Sequence, residues 1–217
     1  MAAMHRVEAA LGGRPCVFET GRMARQAPGA AIVTYGETMV FAAVVMADPR
    51  PGLDWDFVSL TVDYRERTFA AGKFPGGFLK REWAPRLKET LTMRLIDRPL
   101  RPLFPAGFAN DIQIATSVLS VDKDNDPDVV AVNAASAAMA VSGIPYDGPI
   151  GCVRVGRIGQ TFVLNPTQSE LPQCELEMVV AGTESSITMV EGGAKEVPED
   201  IVLDAIAFAQ EPIRQLV

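Results

Sequence analysis

The amino-acid sequence predicts an α+β fold in which helices pack on one side of a mixed sheet. Short runs that are apolar, or that alternate between apolar and polar residues, recur in the first 64 residues and again after residue 150. Three segments with helical spacing of their apolar residues separate or follow these runs. No repeat, low-complexity tract or linker interrupts the 217 residues, so a single domain over 1–217 is the simplest organisation.

The first part of the chain is typical of β-strands. Glycine and proline turn signals at 12–13, 28–29 and 36 divide it into short segments. The predicted strands cover 14–20, 30–35, 38–46 and 57–64. The single histidine, His5, belongs to an N-terminal strand and has no Cys or Ser beside it in the sequence, which excludes a His-based nucleophilic triad.

The first helix is predicted over 87–98, where apolar residues recur at helical spacing. Pro99 and two further prolines are expected to stop it. Arg94 and Arg98 lie four residues apart on this helix, on a face away from the leucines. A strand over 112–121 is predicted to follow.

The second helix is predicted to start at Asp126-Pro127-Asp128, where an Asp cap, a proline and an acid in the first turn occur together. The residues that follow are so rich in Ala that this helix must be buried on most sides. The acidic run at 122–128 imitates the start of a calcium loop, but Pro127 and Asn133 occupy the positions of its glycine and glutamate. A turn and a helix cap therefore explain these acids.

The last part of the chain combines short strands with a terminal helix. The predicted strands cover 151–155, 161–164, 176–181 and 187–191. The helix is predicted over 199–217 and runs to the last residue without a cap. We therefore expect the polypeptide to be part of something longer.

The bulk composition is typical of a globular intracellular protein. Hydrophobic residues make up 48% of the chain and charged residues 22%. No apolar run approaches the ~18 residues of a membrane span, and the N-terminus does not resemble a signal peptide, so we expect no membrane association. Cys16, Cys152 and Cys174 are widely separated, which predicts three reduced and mostly buried thiols.

The charge is distributed unevenly along the chain. The net charge is −7, yet 65–101 contains ten Lys and Arg residues against four Asp and Glu residues, a local charge of +6. One interpretation is chance clustering on a solvated helix. The alternative is a surface for a polyanion, because phosphates favour concentrated Lys and Arg whatever the total charge.

A small group of carboxylates, Glu170, Glu175 and Glu177, lies around the start of a predicted strand. Strand alternation puts Glu175 and Glu177 on one face, where they could bind Mg²⁺ or act as acid and base. A solvent-facing edge is the more common explanation of such a pattern.

Several motifs occur in a fixed order along the chain. They are DYRERTxAAGKxPGGFxKRE at 63–82, RLIDRPxRPLFPxGF at 94–108, SGIPxxGPIG at 142–151, LNPTQ at 164–168 and VVAGTE at 179–184. With these motifs the chain resembles, over essentially its whole length, the first ribonuclease-PH-like domain of the polynucleotide phosphorylase family. The resemblance implies a ribonuclease-PH-like (ribosomal protein S5 domain 2-like) fold.

The resemblance also implies an activity. Members of this family degrade RNA from single-stranded 3′ ends with inorganic phosphate, release nucleoside diphosphates, and can run in reverse. Similar proteins carry two ribonuclease-PH-like cores joined by a helical segment, then KH and S1 domains, and three chains form a homotrimeric ring around RNA. Only the first core, with its closing helix, is matched in this sequence. The implied setting is the bacterial cytoplasm or an organelle, with partners in RNA-degradation complexes.

The family's chemistry is implied to lie outside this core. Its phosphate-binding serines and an Asp…Asp-x-Lys group belong to the second core, where the acids bind Mg²⁺ and the lysine supports developing charge. In this chain Glu177 takes the place of the second acid and Val179 that of the lysine. A valine cannot stabilise an oxyanion, so no residue is assigned as catalytic and Glu177 is only a candidate metal ligand.

The implied contribution of this core is RNA handling. Four residues match the aromatic and basic loop that lines the family's channel: Phe78, Leu79, Lys80 and Arg81. The aromatic ring would stack on a base and the cations would neutralise phosphates. Three arginines match the family's arginine-bearing helix: Arg94, Arg98 and Arg101. Their roles divide between phosphate contact and ion pairs within the fold, with Arg94 the preferred phosphate contact.

The segment 83–87 departs from the family pattern. Trp83 replaces a glycine, Ala84 an arginine, and Arg86 a serine that would cap the helix. Loss of such a cap typically costs about 1 kcal/mol, and a basic residue in the first turn opposes the helix dipole. Either this segment is rebuilt to offer new stacking and charge, or the local sequence is anomalous.

Two alternatives to part of a phosphorolytic exoribonuclease stay open. The first is a non-catalytic RNA-binding or ring-scaffold module, which Val179 favours. The second is a standalone ribonuclease-PH-like enzyme that trims tRNA 3′ ends. The PGGFLKRE loop and the LIDRPxRPLFP block argue against the second alternative.

Overall fold

The structure is a computed structural model that describes residues 3–49, 52, 58–76, 82 and 84–217. Within these residues the chain forms ten strands and three α-helices. The strands are β1 (His5–Leu11), β2 (Arg14–Thr20), β3 (Gly29–Tyr35), β4 (Thr38–Ala47), β5 (Leu60–Arg65), β6 (Asp111–Ser120), β7 (Gly151–Ile158), β8 (Thr161–Leu164), β9 (Leu176–Gly182) and β10 (Ile187–Ala194). The helices are α1 (Leu87–Leu100), α2 (Pro127–Ala140) and α3 (Glu199–Leu216).

A six-stranded mixed sheet contains the strands of the first half, in the order β1-β2-β3-β4-β6-β5. Neighbouring strands are antiparallel except β5 and β6, which are parallel and pair Leu60 with Ile112. Burial alternates along β4, where Val40, Ala42 and Val44 are fully buried. This alternation is the period of two that the sequence pattern predicted.

A second, four-stranded sheet is antiparallel throughout, in the order β10-β9-β7-β8. β10 and β8 form its two edges. The strands predicted in this part of the sequence are all present, and β8 has the predicted limits. Alternation predicts which face of a strand is buried but not which strand is its partner, so the division into two sheets was not predicted.

Helix α2 packs between the two sheets, in contact with β3 and β4 on one side and with β7 on the other. Every residue of α2 except Ala137 and Ala140 is buried, which confirms the burial predicted from its small residues. The approach is close at Gly29 in β3, where an added Cβ would lie 2.1 Å from the Ala138 carbonyl oxygen. Asp126 caps the helix by accepting from the Asp128 N–H at 3.3 Å, as predicted.

Helix α1 packs on β5 and on α2, and α3 packs on β7 and β9. The buried apolar residues of both sheets and all three of these helices form one continuous core. The predicted α+β fold with a mixed sheet is therefore confirmed. Cys16, Cys152 and Cys174 are buried and free, also as predicted.

The end of α1 differs from the prediction, because the helix continues through Pro99 to Leu100. A proline removes the N–H of its own residue, which in the last turn costs a single helical hydrogen bond. The Arg101 N–H still donates to the Asp97 carbonyl and completes this turn.

Among the described residues, no helix has both the length and the apolar character needed to cross a membrane.

Candidate functional site

The predicted RNA-contacting residues of the loop, Phe78, Leu79, Lys80 and Arg81, lie outside the described residues, and so does Trp83. The structure does describe the chain on both sides of this loop. Thr68–Ala71 form a short 3₁₀ turn before it, and α1 begins soon after it. These flanks determine where the loop starts and ends.

Glu82 connects the two flanks. Its carbonyl oxygen accepts from the Arg67 guanidinium, and its carboxylate accepts from the Thr68 N–H at 3.0 Å. Its φ is +48°, in the left-handed region that L-residues seldom adopt. Hydrogen bonds to both main-chain and side-chain oxygens of one residue therefore hold the two ends of the loop together.

The start of α1 is stabilised by Glu89, a buried carboxylate. It accepts from the Arg86 N–H at 2.6 Å and from the Glu66 N–H at 2.8 Å. Arg86 offers no capping oxygen, as expected, but its guanidinium lies 3.7 Å from the Glu82 carboxylate. Glu89 thus supplies the reciprocal half of a capping box and offsets part of the lost cap.

The three predicted arginines of α1 and its end lie in different environments. Arg94 is exposed, and no hydrogen bond or ion pair joins its guanidinium to the residues the structure describes. Arg98 is exposed and donates to the Glu191 carboxylate at 2.8 Å, which links α1 to β10. Within the described part of the chain, the donors of Arg94 are therefore unengaged.

Arg101 belongs to the fold. Its guanidinium donates to both carboxylate oxygens of Asp97, at 2.6 and 3.0 Å. It also donates to the carbonyl oxygens of Val58 at 2.7 Å and Leu60 at 3.2 Å, which joins the end of α1 to β5. Of the two roles open to Arg101, these contacts correspond to ion pairing within the fold.

A groove of about 370 Å³ lies between α1 and β10. The N-terminal turn of α2 and the strands β7 and β9 form the rest of its wall. Its lining combines apolar side chains with charged ones: Lys88, Leu91, Thr92, Leu95, Asp128, Arg154, Glu177, Val179, Glu191, Gly192 and Gly193. A concave site with convergent charged groups is the usual form of a ligand site.

Arg154 neutralises two of the acids in this groove. One of its guanidinium nitrogens donates to Asp128 and the other to Glu177. Burial raises the pKa of the Asp128 carboxyl, and Arg154 opposes that rise. Burial disfavours the charge of Arg154, but Asp128 and Glu177 outweigh it, so the pKa of this guanidinium is raised. The positive charge of Arg154 is thus fully engaged with its two acids.

A second cation, Lys88, is held in the same way. Its ammonium lies 2.9 Å from Asp126 and 3.1 Å from Glu66. Burial lowers the pKa of Lys88, but these carboxylates outweigh it and the pKa is raised. The Tyr64 hydroxyl donates to Glu66 at 2.6 Å, and burial raises the pKa of this phenol. A charged network therefore continues from the groove into the core.

The groove does not provide the residues of a magnesium site. Val179 is buried in β9, where the resemblance would require a lysine, and its side chain lines the groove. Glu177, the candidate metal ligand, shares Arg154 with Asp128. Among the described residues, no group of three or more His, Cys, Asp and Glu side chains is arranged to hold a metal ion. The oxygens that Asp128 and Glu177 direct at Arg154 are not free to coordinate Mg²⁺, which takes oxygen ligands in near-octahedral geometry.

Glu175, which the sequence placed beside Glu177, accepts from Arg157 at 2.9 Å. Sequence reasoning missed the roles of Arg154 and Lys88. The signal for Arg154 was a charged residue within the apolar strand pattern of β7, since a buried arginine requires an acidic partner. Asp128 was predicted only as a helix-terminal acid, although it is buried and paired with Arg154.

Comparison with protein families matches both parts of the structure. Residues 12–145 match the 3′ exoribonuclease family, domain 1, and residues 148–211 match domain 2 of the same family. The first segment contains β2 to β6 with α1 and α2, and the second contains the four-stranded sheet and most of α3.

Curated bacterial relatives are similar along the entire chain. Proteins named polyribonucleotide nucleotidyltransferase are 51% identical in Chelativorans sp. over 98% of this chain, and 52% identical in Rhizobium meliloti over 100% of it. That of Nitrobacter hamburgensis is 54% identical over 98% of this chain. The chain spans only 29 to 30% of the length of these relatives.

The fold also matches a solved structure. The crystal structure of rice (Oryza sativa) Rrp46 superposes with a TM-score of 0.71 over 100% of this chain and 91% of its own chain. Its sequence identity is 16%, so the likeness concerns the fold alone. The family matches cover β2 to β10, and the chain belongs to the 3′ exoribonuclease family.

Proposed function

We propose that this chain is the first core of a polynucleotide phosphorylase, a phosphorolytic 3′-to-5′ exoribonuclease, and that it guides RNA and builds the ring. Support comes from the identity of 51 to 54% to proteins named polyribonucleotide nucleotidyltransferase. Since the chain spans about 30% of their length, a second core is proposed to supply the sites for Mg²⁺ and inorganic phosphate. Residues 1–217 are proposed to act as one unit, which their continuous core supports.

The pairing of charged residues in the groove is the observation that supports these separate roles for the first and second cores. Arg154 engages both Asp128 and Glu177, and Val179 offers no charge for a transition state. Phosphoryl transfer needs preorganised cationic groups around the transferred phosphate. A groove whose cations, Arg154 and Lys88, are already paired with acids of the fold supports a structural role for this core.

The proposed RNA path runs from the loop at 78–81 to the exposed face of α1. Glu82 joins the flanks of the loop, so the loop is presented from a fixed base. Arg94 lies on α1 with its donors unused by the described residues. Single-stranded RNA offers both base faces and phosphates. The ring of Phe78 can stack on a base, and three cations can bind phosphates: Lys80, Arg81 and Arg94.

The proposed partners follow from the same assignment. They are single-stranded RNA 3′ ends, two further copies in a homotrimeric ring, and the other members of an RNA-degradation complex. The bacterial cytoplasm is the proposed location, in keeping with the bacterial relatives, and an organelle is the alternative.

A second candidate function is a non-catalytic RNA-binding or ring-scaffold module. The same pairing of Arg154 and the presence of Val179 favour it for a chain acting without a second core. The two candidates differ in one property, since only the first core of an enzyme should restore phosphorolysis when a second core is added.

The salt dependence of RNA binding tests the proposal. Exchanging Lys80 and Arg81 together for Ala should weaken binding to oligo(A) and reduce the slope of log K against log salt by about 1.4, two single-strand phosphate contacts. The matched control exchanges Arg6 and Arg214 for Ala, which removes the same charge from exposed sites outside the basic segment. An unchanged slope in the first variant would remove the loop from the RNA path.

A further inference from the structure

We propose that Phe69, Lys73 and Phe74 form a second stacking site for single-stranded RNA, next to the predicted loop at 78–81. The inference rests on the proposed function, that this core guides RNA. It adds residues that neither the motif comparison nor the arginine helix assigned to RNA. We call these three residues the aromatic patch.

Exposure is the first observation. The side chain of Phe74 is 95% exposed, the highest value among the large hydrophobic residues the structure describes, and that of Phe69 is 58% exposed. A phenylalanine in water forgoes the stabilisation that burial would give, so two of them within six residues call for a ligand. A base offers a π-face that covers such a ring whatever its sequence.

Hydrogen bonds hold the turn that carries Phe69, and one of them reaches Lys73. Ala70 is buried, and its carbonyl accepts from the Val121 N–H at 3.0 Å, just after β6. The Phe69 carbonyl accepts from the Gly72 N–H at 2.9 Å, with Gly72 in the left-handed region at φ +66°. The Thr68 carbonyl accepts from the Lys73 N–H at 3.0 Å. A ring on an anchored turn loses little conformational entropy when it binds a base.

Charge favours a nucleic acid over an apolar partner. Lys73 is exposed, and its ammonium contacts no acceptor among the described residues. The acids nearest to it in the sequence are engaged: Glu66 with Lys88, and Glu82 with Thr68 and Arg86. A cation within five residues of two exposed rings in the sequence suits the phosphate and the bases of a single strand.

The aromatic patch lies close in sequence to the loop on the proposed RNA path. Phe74 lies four residues before Phe78, the first residue of the loop, a reach of at most about 14 Å in extended chain. A strand that stacks on Phe78 could therefore continue onto Phe74 and Phe69. The patch would add affinity without sequence preference.

Fluorescence anisotropy with labelled oligo(A) and oligo(U) tests the inference on the whole chain. We expect Phe69→Ala and Phe74→Ala each to weaken binding about 5- to 150-fold for both oligomers, with the salt slope unchanged. Phe74→Trp should keep the affinity. Lys73→Ala should lower the slope by about 0.7. Leu203→Ala on α3, 67% exposed, is the matched control and should bind like the unmodified chain.

Wild-type affinity in both Phe→Ala variants would overturn the patch. If the exchange of Lys80 and Arg81 for Ala still weakened binding, the proposed function would stand without it. If the unmodified chain bound no RNA, both the aromatic patch and the proposed function would be wrong. Normal RNA binding with a changed sedimentation coefficient would overturn the inference and identify the patch as a contact between copies.

Discussion

Arg154 and Asp128 form an ion pair inside the fold, with side chains only 12% and 9% exposed. The pair joins β7 to the first turn of α2, and Glu177 on β9 shares the same guanidinium. Asp128 and Glu177, two acidic residues that line the groove, therefore hold the four-stranded sheet to the central helix through Arg154. This pairing engages the charges of Arg154, Asp128 and Glu177 within the fold.

Removing Asp128 should destabilise the protein strongly. Asp128→Ala leaves a buried guanidinium with one partner in place of two, and breaking a buried pair costs about 3 kcal/mol or more. Urea unfolding followed by circular dichroism measures the loss. Glu191→Gln breaks the exposed pair with Arg98 and is the control, with an expected change below about 1 kcal/mol. Equal losses in the two variants would contradict the structural role of Arg154.

The close contact of β3 with α2 predicts an effect at Gly29. A methyl group in Gly29→Ala would lie 2.1 Å from the Ala138 carbonyl, so helix and sheet must separate, at a cost of about 1–3 kcal/mol. Gly193→Ala is the matched control, because an added Cβ there meets nothing within 4 Å. Thermal unfolding of both variants measures their difference in stability. If the Gly29→Ala protein were as stable as the Gly193→Ala protein, the close approach of α2 to Gly29 in β3 would be contradicted.

The turn before α2 predicts a dependence on pH. Burial raises the pKa of Asp122, but hydrogen bonds from Asn125, Glu37 and Asp124 outweigh it and hold the pKa below the ordinary value of 3.8. The ionised carboxylate therefore stabilises the native state above that value, and the stabilisation is lost as the pH falls through the folded pKa. Asp122→Asn should lower the free energy of unfolding near neutral pH.

The difference between wild type and Asp122→Asn should shrink as the pH falls below about 4, since protonated Asp122 no longer supplies the stabilisation. Urea unfolding at a series of pH values measures this. A difference that stayed constant down to strong acid would assign the loss to shape and not to charge.

Arg94 and Arg101 should separate RNA binding from stability. Arg94→Ala should change the free energy of unfolding by less than about 0.5 kcal/mol while weakening oligo(A) binding and lowering its salt slope by about 0.7. Arg101→Ala should cost about 2 kcal/mol of stability, because the carbonyls of Val58 and Leu60 lose a charged donor. If Arg94→Ala left the salt slope unchanged, Arg94 would not contact a phosphate.

The sequence was informative where local chemistry decides the structure. Alternation predicted the strands, and the small residues after Asp126 predicted a buried helix, because both patterns follow from burial along one element. The extension of α1 through Pro99 was not predicted, since a proline in the last turn costs less than one in the middle of a helix. The pairing of strands into two sheets depends on contacts distant in sequence, which a local pattern does not contain.

In the candidate site, too, the sequence predicted some features and could not predict others. The motif comparison indicated that Val179 replaces a lysine, and the structure places this valine in the groove. It could not indicate that Arg154 pairs with Asp128 and Glu177, because these residues come from three separate elements. The sequence preferred Arg94 as the phosphate contact and left the role of Arg101 open. The structure shows that Arg101 is bound within the fold.

The central claim is that this core guides RNA and does not carry out phosphorolysis by itself. Its most direct test is incubation of the chain with labelled poly(A), Mg²⁺ and inorganic phosphate, followed by chromatography of the released nucleotides. A full-length polyribonucleotide nucleotidyltransferase is the positive control, and the same preparation of the chain must bind oligo(A). We expect bound RNA and no release of ADP. Release of ADP at a rate close to that of the full-length enzyme would contradict the account.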